Sequence, residues 1–445
     1  MARILVASTG MLSSVFVAAE FGRRLVRDGH EALLVTTENH GDRVREFGLA
    51  FRAMPKVPIT PLACPLEGLG KNPFVRTPAR RRQRLEETAA MLGAAEFGAM
   101  LDEISPDLAV IDFELHGPII AALGRGQRTA LLHCFFSTMV GPRNPPLGSF
   151  TVPGSEPEGA PEPVMNEWSD LLRWKRRQEI VGALRHWGGD IPSALGHLAR
   201  KHRVARDMFV RRRWQYPWGY RLPCLMTSPA ELDFPGEGDD DVRYIGPMIA
   251  GTRPEGVSRA DVPGILGSEA AANGKPVVLA SFGTVNSPPP AFLEALWAAF
   301  EARPDRVLIH VVPPKADAPR RSPPDNVTVV DWLDQPAALE RASLMINHGG
   351  VGSVREAAHR GVPQIVVAAD MMDRPGGAAR VLSHGLGARL AGRETAEQIS
   401  GTIDAVLADE GIAAACARMS EASQSYAARR VAERAVRQLL DEERT

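Results

Sequence analysis

One stretch, from Leu344 to Pro363, constrains the fold of this chain more than any other. Its first four residues form an apolar run that predicts a short strand. The apolar spacing over 354–360 predicts a helix that stops at the following Gly-Val-Pro. The turn between them contains Gly349, Gly350 and Gly352. Such a turn lets the backbone approach a ligand closely, and its N–H groups together with the helix dipole suit a phosphate. An ordinary glycine-rich turn between strand and helix is the alternative.

The segments on both sides of this turn carry further motifs in a fixed order. These are Trp332-x-x-Gln335, then His348-x-Gly350-x-x-Ser353-x-x-Glu356, then Gly361-Val362-Pro363, then Asp373-Arg374-Pro375. In this order and at this spacing, residues 327–390 resemble the donor-binding signature of the family 1 nucleotide-sugar glycosyltransferases of bacterial natural-product type. One position departs from the family pattern, because Arg374 stands where the family has Gln.

The length and the opening pattern predict two α/β domains. A chain of 445 residues can form two domains of about 200 residues each. Residues 3–36 read as a β-α-β unit without G-x-G-x-x-G, and a second such unit begins at 275. The resemblance implies the GT-B fold, an α/β fold in which two Rossmann-like domains face each other across a cleft and the C-terminal helix crosses back to the N-terminal domain. The predicted boundaries are 1–240 for an N-terminal acceptor-binding domain, 241–262 for a linker, 263–425 for a C-terminal nucleotide-sugar donor-binding domain, and 426–445 for the returning helix.

The resemblance also assigns roles in donor binding. Trp332 is expected to stack on the base, and the turn at 348–353 to bind the diphosphate, with the loop 281–284 opposite. Glu356 is expected to accept from ribose hydroxyls, and a bond to the 2′-hydroxyl would favour UDP over dTDP. The pair Asp373-Arg374 is expected to contact the sugar. The predicted donor-binding set is Ser281, Gly283, Thr284, Trp332, Leu333, Gln335, His348, Gly350, Gly352, Ser353, Glu356, Asp373 and Arg374.

The catalytic base is less clearly marked. The family's usual base, a His at the start of the first helix, falls on Ser14 here. Asp112 ends a predicted strand, where ligands of open α/β sheets gather, although a carboxylate there could also cap the next helix. It could act directly or through a water, and partial desolvation would raise its pKa to suit that task. The other readings are a base at His133 or His116, or an acceptor acidic enough to need little help. The predicted catalytic set is Asp112, Ser14 and His133, with Asp112 favoured as the base.

Residues 166–221 differ in composition from the rest of the chain. They contain five of the seven Trp and thirteen Lys or Arg against five Asp or Glu. Three interpretations stay open: packing of acceptor-domain helices, a hydrophobic rim of the acceptor pocket, and a weak contact with a membrane surface.

Net charge, cysteine content and hydropathy argue against several classes of protein. The formal net charge is −1, so no nucleic-acid partner is expected. The four cysteines form no CxxC pair, which argues against a zinc site or a disulfide framework and makes a reducing cytoplasm the expected compartment. No apolar run has the length of a membrane span. Oligomeric state cannot be read from the sequence.

The resemblance implies an inverting glycosyltransferase. It would move a hexose from a nucleoside diphosphate sugar, with UDP favoured over dTDP, to a hydroxyl or similar nucleophile of a hydrophobic small molecule such as a secondary metabolite. The resemblance implies that no metal or other cofactor takes part. Two alternatives remain: a GT-B epimerase or hydrolase acting on the nucleotide sugar itself, and a non-catalytic nucleotide-sugar-binding protein that lost the base His.

Overall fold

The computed structural model describes residues 1–55, 57, 74, 76–155, 163–210, 219–234, 241–251, 253, 274–283, 288–313, 316, 319, 321–368 and 372–442. Within these ranges the chain forms two parallel β-sheets, each packed against helices. This is the two-domain α/β organisation predicted from the sequence.

The first sheet is built from the N-terminal half of the chain. The strands of this half are β1 (Arg3–Ala7), β2 (Glu31–Thr36), β3 (Ala50–Ala53), β4 (Leu108–Asp112), β5 (Thr129–His133), β6 (Phe209–Val210), β7 (Gly219–Tyr220), β8 (Cys224–Met226) and β9 (Val242–Tyr244). Seven of them pair in parallel in the order β3-β2-β1-β4-β5-β8-β9, and β6 and β7 form a separate antiparallel pair. From β1 the chain adds β2 and β3 on one side and β4 and the later strands on the other side. A crevice therefore opens at the carboxyl ends of the adjacent strands β1 and β4.

Helices cover both faces of this sheet, whose central strands are mostly apolar and buried. The helices are α1 (Leu12–Arg27), α2 (Gly41–Glu46), α3 (Pro78–Ala90), α4 (Ala94–Ile104), α5 (His116–Leu123), α6 (Pro163–His186) and α7 (Ile191–Lys201). Helix α1 packs on one face through residues such as Val15 and Phe21, while α4, α5 and α7 pack on the other. The first turn of α1 therefore lies at the crevice, directly after β1.

The second sheet repeats this plan in the C-terminal half. Its strands are β10 (Val277–Ser281), β11 (Val307–Val311), β12 (Val327–Val330), β13 (Leu344–Asn347), β14 (Gln364–Val367) and β15 (Gly387–Leu390), all parallel in the order β12-β11-β10-β13-β14-β15. Its helices are α8 (Pro290–Glu301), α9 (Gln335–Leu339), α10 (Val351–Arg360), α11 (Arg374–Ser383) and α12 (Ala396–Ala408). The predicted strand, glycine turn and helix are confirmed as β13 and α10, and α10 ends at Gly361 with a φ of 71°. The corresponding crevice lies at the carboxyl ends of β10 and β13.

The last helices return to the first domain. They are α13 (Glu410–Ala428) and α14 (Val431–Asp441). Val436 and Leu439 of α14 join the hydrophobic core beneath α1, and Arg437 pairs with Asp28 at the end of α1. The predicted crossing of the C-terminal helix is therefore confirmed.

The first domain extends slightly beyond the predicted boundary. Strand β9 (Val242–Tyr244) lies inside the range 241–262 predicted as linker, yet it pairs with β8 as the edge strand of the first sheet. Short apolar strands next to a linker carry too little sequence signal to be separated from it. Most of the remaining predicted linker lies outside the described residues.

Candidate active site

The glycine turn between β13 and α10 has the geometry of an anion site. Gly349 has a φ of 84°, and a Cβ there would lie 2.6 Å from the carbonyl oxygen of Arg374, so only glycine fits. The Asn347 side-chain oxygen accepts a hydrogen bond from the Gly349 N–H at 2.8 Å. At Gly352 a Cβ would meet nothing within 4 Å, so the first turn of α10 borders open space. The N–H groups and dipole at this helix start suit a diphosphate.

His348 lies beside this turn and between two loops. A Cβ on Gly283 or on Gly350 would lie 2.8 Å or 2.5 Å from its ring, so both glycines are needed for the ring to fit. Burial and the charge of Arg374 lower the pKa of His348 to about 4, although the Ser281 backbone favours the protonated ring. The imidazole is therefore neutral at neutral pH and can donate one N–H to an anion. The predicted loop opposite the turn, represented by Ser281 and Gly283, does lie next to it.

Three predicted residues meet on the flank of α10. The Gln335 Nε2 donates to Glu356 Oε2 at 2.6 Å and lies 3.5 Å from Ser353 Oγ. The ring of Trp332 is 6.3 Å from that of Phe16 on α1. The predicted nucleoside end of the site therefore borders the N-terminal domain.

Arg253 belongs to this cluster, and the sequence analysis missed it. Its backbone N–H donates to Asp334 Oδ2 at 2.7 Å, and its Nη2 donates to Glu356 Oε1 at 2.9 Å. Its guanidinium carbon lies 4.2 Å from the centre of the Phe16 ring. A single Arg inside a predicted linker gives no sequence signal for such a position.

The pair Asp373 and Arg374 lies at the start of α11, next to the start of α10. Burial raises the pKa of Asp373, while the N–H of Val351 and the charge of Arg374 oppose that rise. Arg374 is close enough to His348 for its charge to lower the pKa of that ring. The two residues thus adjoin the predicted anion site.

Asp112 occupies the crevice end of β4 and is fully buried. Its Oδ1 accepts from the Glu114 N–H at 3.1 Å. Burial raises the pKa of Asp112 to about 7, and the N–H groups of Glu114 and Thr9 limit the rise. Ser14 hydrogen-bonds the thiol of Cys134, whose pKa is raised by burial and by the charge of Asp112. Ser14, Cys134 and Asp112 therefore form one buried cluster, and Cys134 was missed although it directly follows β5.

The two histidines considered as bases are held inside the N-terminal domain. His133 Nδ1 donates to the Phe135 carbonyl oxygen at 3.2 Å, and its Nε2 lies 3.2 Å from Thr138 Oγ1. His116 Nδ1 lies 2.8 Å from the Tyr220 hydroxyl. Burial and a nearby lysine charge lower the pKa of His116 to about 3.

Two arginines of the C-terminal domain form hydrogen bonds or an ion pair with residues of the N-terminal domain. Arg355 of α10 donates from Nη1 to both the carbonyl and the hydroxyl oxygen of Thr227, at 2.6 Å each. Arg380 of α11 forms a fully buried ion pair with Asp233 at 2.6 Å. The start of α10 is thereby held against the first domain. Sequence reasoning could not find these pairs because their partners lie more than a hundred residues away.

The remaining predictions concern Leu333, Thr284 and the tryptophan-rich range 166–221. The Leu333 side chain is packed in the hydrophobic core of the second domain, so only its backbone can serve a ligand. Thr284 lies outside the described residues. In the range 166–221, Trp168 is buried and donates to the Asn144 carbonyl oxygen at 2.7 Å, whereas Trp174 is half exposed. Trp168 fits the packing interpretation.

Among the residues that the structure describes, no group of three or more His, Cys, Asp or Glu side chains could hold a metal ion. Over the same ranges, no helix has both the length and the apolar character needed to span a membrane.

Two parallel-sheet α/β domains of this kind define the GT-B class, and solved glycosyltransferase structures share this fold. The glycosyltransferase of kitacinnamycin superimposes with a TM-score of 0.67 at 19% identity, over 98% of each chain. The calicheamicin glycosyltransferase CalG4 gives 0.64 at 20% identity, over 100% of this chain and 99% of the other.

Sequence comparisons show which proteins this chain resembles, most clearly in its C-terminal domain. Residues 300–437 match the family model of the erythromycin biosynthesis protein CIII-like C-terminal domain. The demethyllactenocin mycarosyltransferase of Streptomyces fradiae is 32% identical over 200 residues, 44% of this chain and 41% of that protein. The chain therefore matches about two fifths of the length of that relative. The predicted resemblance to the family 1 glycosyltransferases of bacterial natural-product type is therefore confirmed, by sequence over the C-terminal domain and by fold over both domains.

Proposed function

We propose that the protein transfers a hexosyl group from a nucleoside diphosphate sugar to a hydroxyl of a hydrophobic small molecule, with inversion at the anomeric carbon. One observation carries the proposal: the open helix start at Gly352 and Ser353 adjoins Gln335 and Glu356, and Trp332, three residues before Gln335, lies against Phe16 of α1 in the other domain. A nucleoside diphosphate has matching parts, a flat base and a doubly charged leaving group. The mycarosyltransferase relative supports an antibiotic-like acceptor.

On the donor side, the proposed task is to stabilise the departing diphosphate. The N–H groups at the start of α10 and the neutral ring of His348 are fixed before the reaction, so they need little reorganisation as charge develops. Arg374 adds a fixed positive charge close to His348. In this proposal the groups of the chain itself support the leaving group without a metal ion, and activity should persist in EDTA.

On the acceptor side, Asp112 is the proposed base. A carboxylate with a pKa near 7 is half ionised at neutral pH and matches the operating pH of a general base. Because Asp112 is fully buried beside Cys134 and Ser14, the proton would reach it through a bridging water. The acceptor oxygen attacks C1 on the face opposite the diphosphate, the C1–O bond to the diphosphate breaks, and the proton ends on Asp112.

The test is a panel of nucleotide sugars incubated with the protein, with and without aglycones such as macrolide aglycones. Nucleotide release that depends on the aglycone, together with a glycosylated product of inverted anomeric configuration, is expected. Release without an aglycone would indicate a hydrolase or epimerase instead. Binding with no turnover on any aglycone of the panel would indicate a binding protein. Asp112→Asn serves as the matched control for background hydrolysis.

A further inference from the structure

Arg253 makes three different contacts at the nucleoside end of the site. Its backbone N–H is held by Asp334, its guanidinium lies over the ring of Phe16, and its Nη2 donates to Glu356 Oε1 at 2.9 Å. The side chains of Arg253 and Glu356 are only 11% and 14% exposed. An ion pair this well screened from water is held more firmly than one on the surface.

Arg253 pairs with Glu356, the residue expected to bind the ribose hydroxyls. Glu356 has its other oxygen occupied as well, because Gln335 Nε2 donates to Oε2 at 2.6 Å. Each carboxylate oxygen therefore already receives one hydrogen bond, and one of the two bonds comes from a cation. Of roughly four lone-pair sites on a carboxylate, two are taken.

We propose that Arg253 is a specificity-determining residue: by holding Oε1 of Glu356, it lowers the discrimination of this site between ribose and 2′-deoxyribose nucleotides. This inference rests on the proposed function of the same site. A ribose diol binds a carboxylate best when its two hydroxyls can donate to both oxygens. Because the Arg253 cation already pairs with Oε1, a ribose hydroxyl gains less by donating there than by donating to Oε2. One bond to Oε2, which a 3′-hydroxyl alone can make, then carries most of the contact. Loss of the 2′-hydroxyl should then cost little affinity.

The neighbouring Arg360 provides a matched control. It also ties the predicted linker to the C-terminal domain, since its Nη2 donates to the Gly251 carbonyl oxygen at 3.0 Å and pairs with Glu340 at 2.8 Å. None of these bonds involves Glu356. Arg253→Gln and Arg360→Gln therefore each remove one cation from the linker attachment, but only Arg253→Gln frees Oε1.

The experiment compares the affinities for UDP and 2′-deoxy-UDP, which differ by one hydroxyl, using calorimetry on the full chain. The wild type is expected to bind the two within about threefold. Arg253→Gln should raise the ratio in favour of UDP by about tenfold, in the range of one recovered hydrogen bond. Arg360→Gln should leave the ratio unchanged. Arg253→Met keeps an apolar stem over Phe16 and repeats the test if the Gln variant folds poorly.

Three results would overturn the inference. They are a wild type that already prefers UDP by tenfold or more, an unchanged ratio in both Arg253 variants, and an equal change in Arg360→Gln. A purely structural Arg253 would lower the melting temperature and weaken both nucleotides equally. If the wild type binds neither nucleotide, the proposed function fails together with the inference, whereas binding with an unchanged ratio removes only the role of Arg253.

Discussion

Replacing Asp112 by Asn should make the protein more stable and less active. In the folded protein, burial raises the pKa of this carboxyl from an ordinary value of 3.8 to about 7. In the unfolded chain the same group ionises near the ordinary value, so the folded state binds more protons between these two pH values. The contribution of Asp112 to stability is complete below about pH 4 and is lost as the pH rises to about 7.

The size of this effect follows from the difference in pKa. A difference of about three pH units corresponds to on the order of 4 kcal/mol lost at about pH 8, at about 1.4 kcal/mol per unit. The Asn amide carries no such penalty, and its oxygen can still accept from the Glu114 N–H as Asp112 Oδ1 does. Its buried NH₂ group costs about 1–3 kcal/mol if it finds no acceptor. A net gain of about 1–3 kcal/mol at pH 8, and less at pH 5, is the expected result.

Activity should change in the opposite direction. As general base, Asp112 must be ionised, so wild-type kcat/KM should rise through about pH 7 and then level off. Asp112→Asn should lose at least about a hundredfold in turnover and should also lose this limb of the pH profile. Melting curves at pH 5 and 8 and a pH profile with an aliphatic alcohol acceptor test both parts. A fully active Asn variant would refute the assignment and return His133 and His116 to consideration, while a variant destabilised at pH 8 would refute the burial argument.

Three further changes test the donor side. Trp332→Ala should weaken nucleotide binding by about 1–3 kcal/mol if the ring stacks on the base, and unchanged affinity by calorimetry would remove Trp332 from the site. His348→Ala should lower kcat far more than the melting temperature, because its neutral N–H acts mainly on the developing charge; early melting with normal kcat would identify a structural histidine. Arg374→Gln should move preference from UDP-glucuronic acid toward UDP-glucose by about tenfold if the guanidinium pairs with a sugar carboxylate, and competition assays showing equal preference would exclude that role.

The sequence alone determined the strand, the glycine turn and the helix at 344–363, together with the family resemblance of the donor domain. These features are local, since apolar spacing sets the elements and Gly349 needs a φ of 84° that few other residues adopt. The adjacent motifs lie within the same domain, so their order and spacing were enough to assign Gln335 and Glu356 to one donor-binding set, and the structure shows that these two side chains hydrogen-bond.

Only the tertiary structure decided what surrounds these residues. The Arg253 partner of Glu356 lies 103 residues away, and the pairing of Arg355 with Thr227 joins two domains. The raised pKa of Asp112 likewise depends on how completely other elements exclude water from it. Such properties arise from three-dimensional packing between distant segments, and no periodicity or spacing along the chain encodes them.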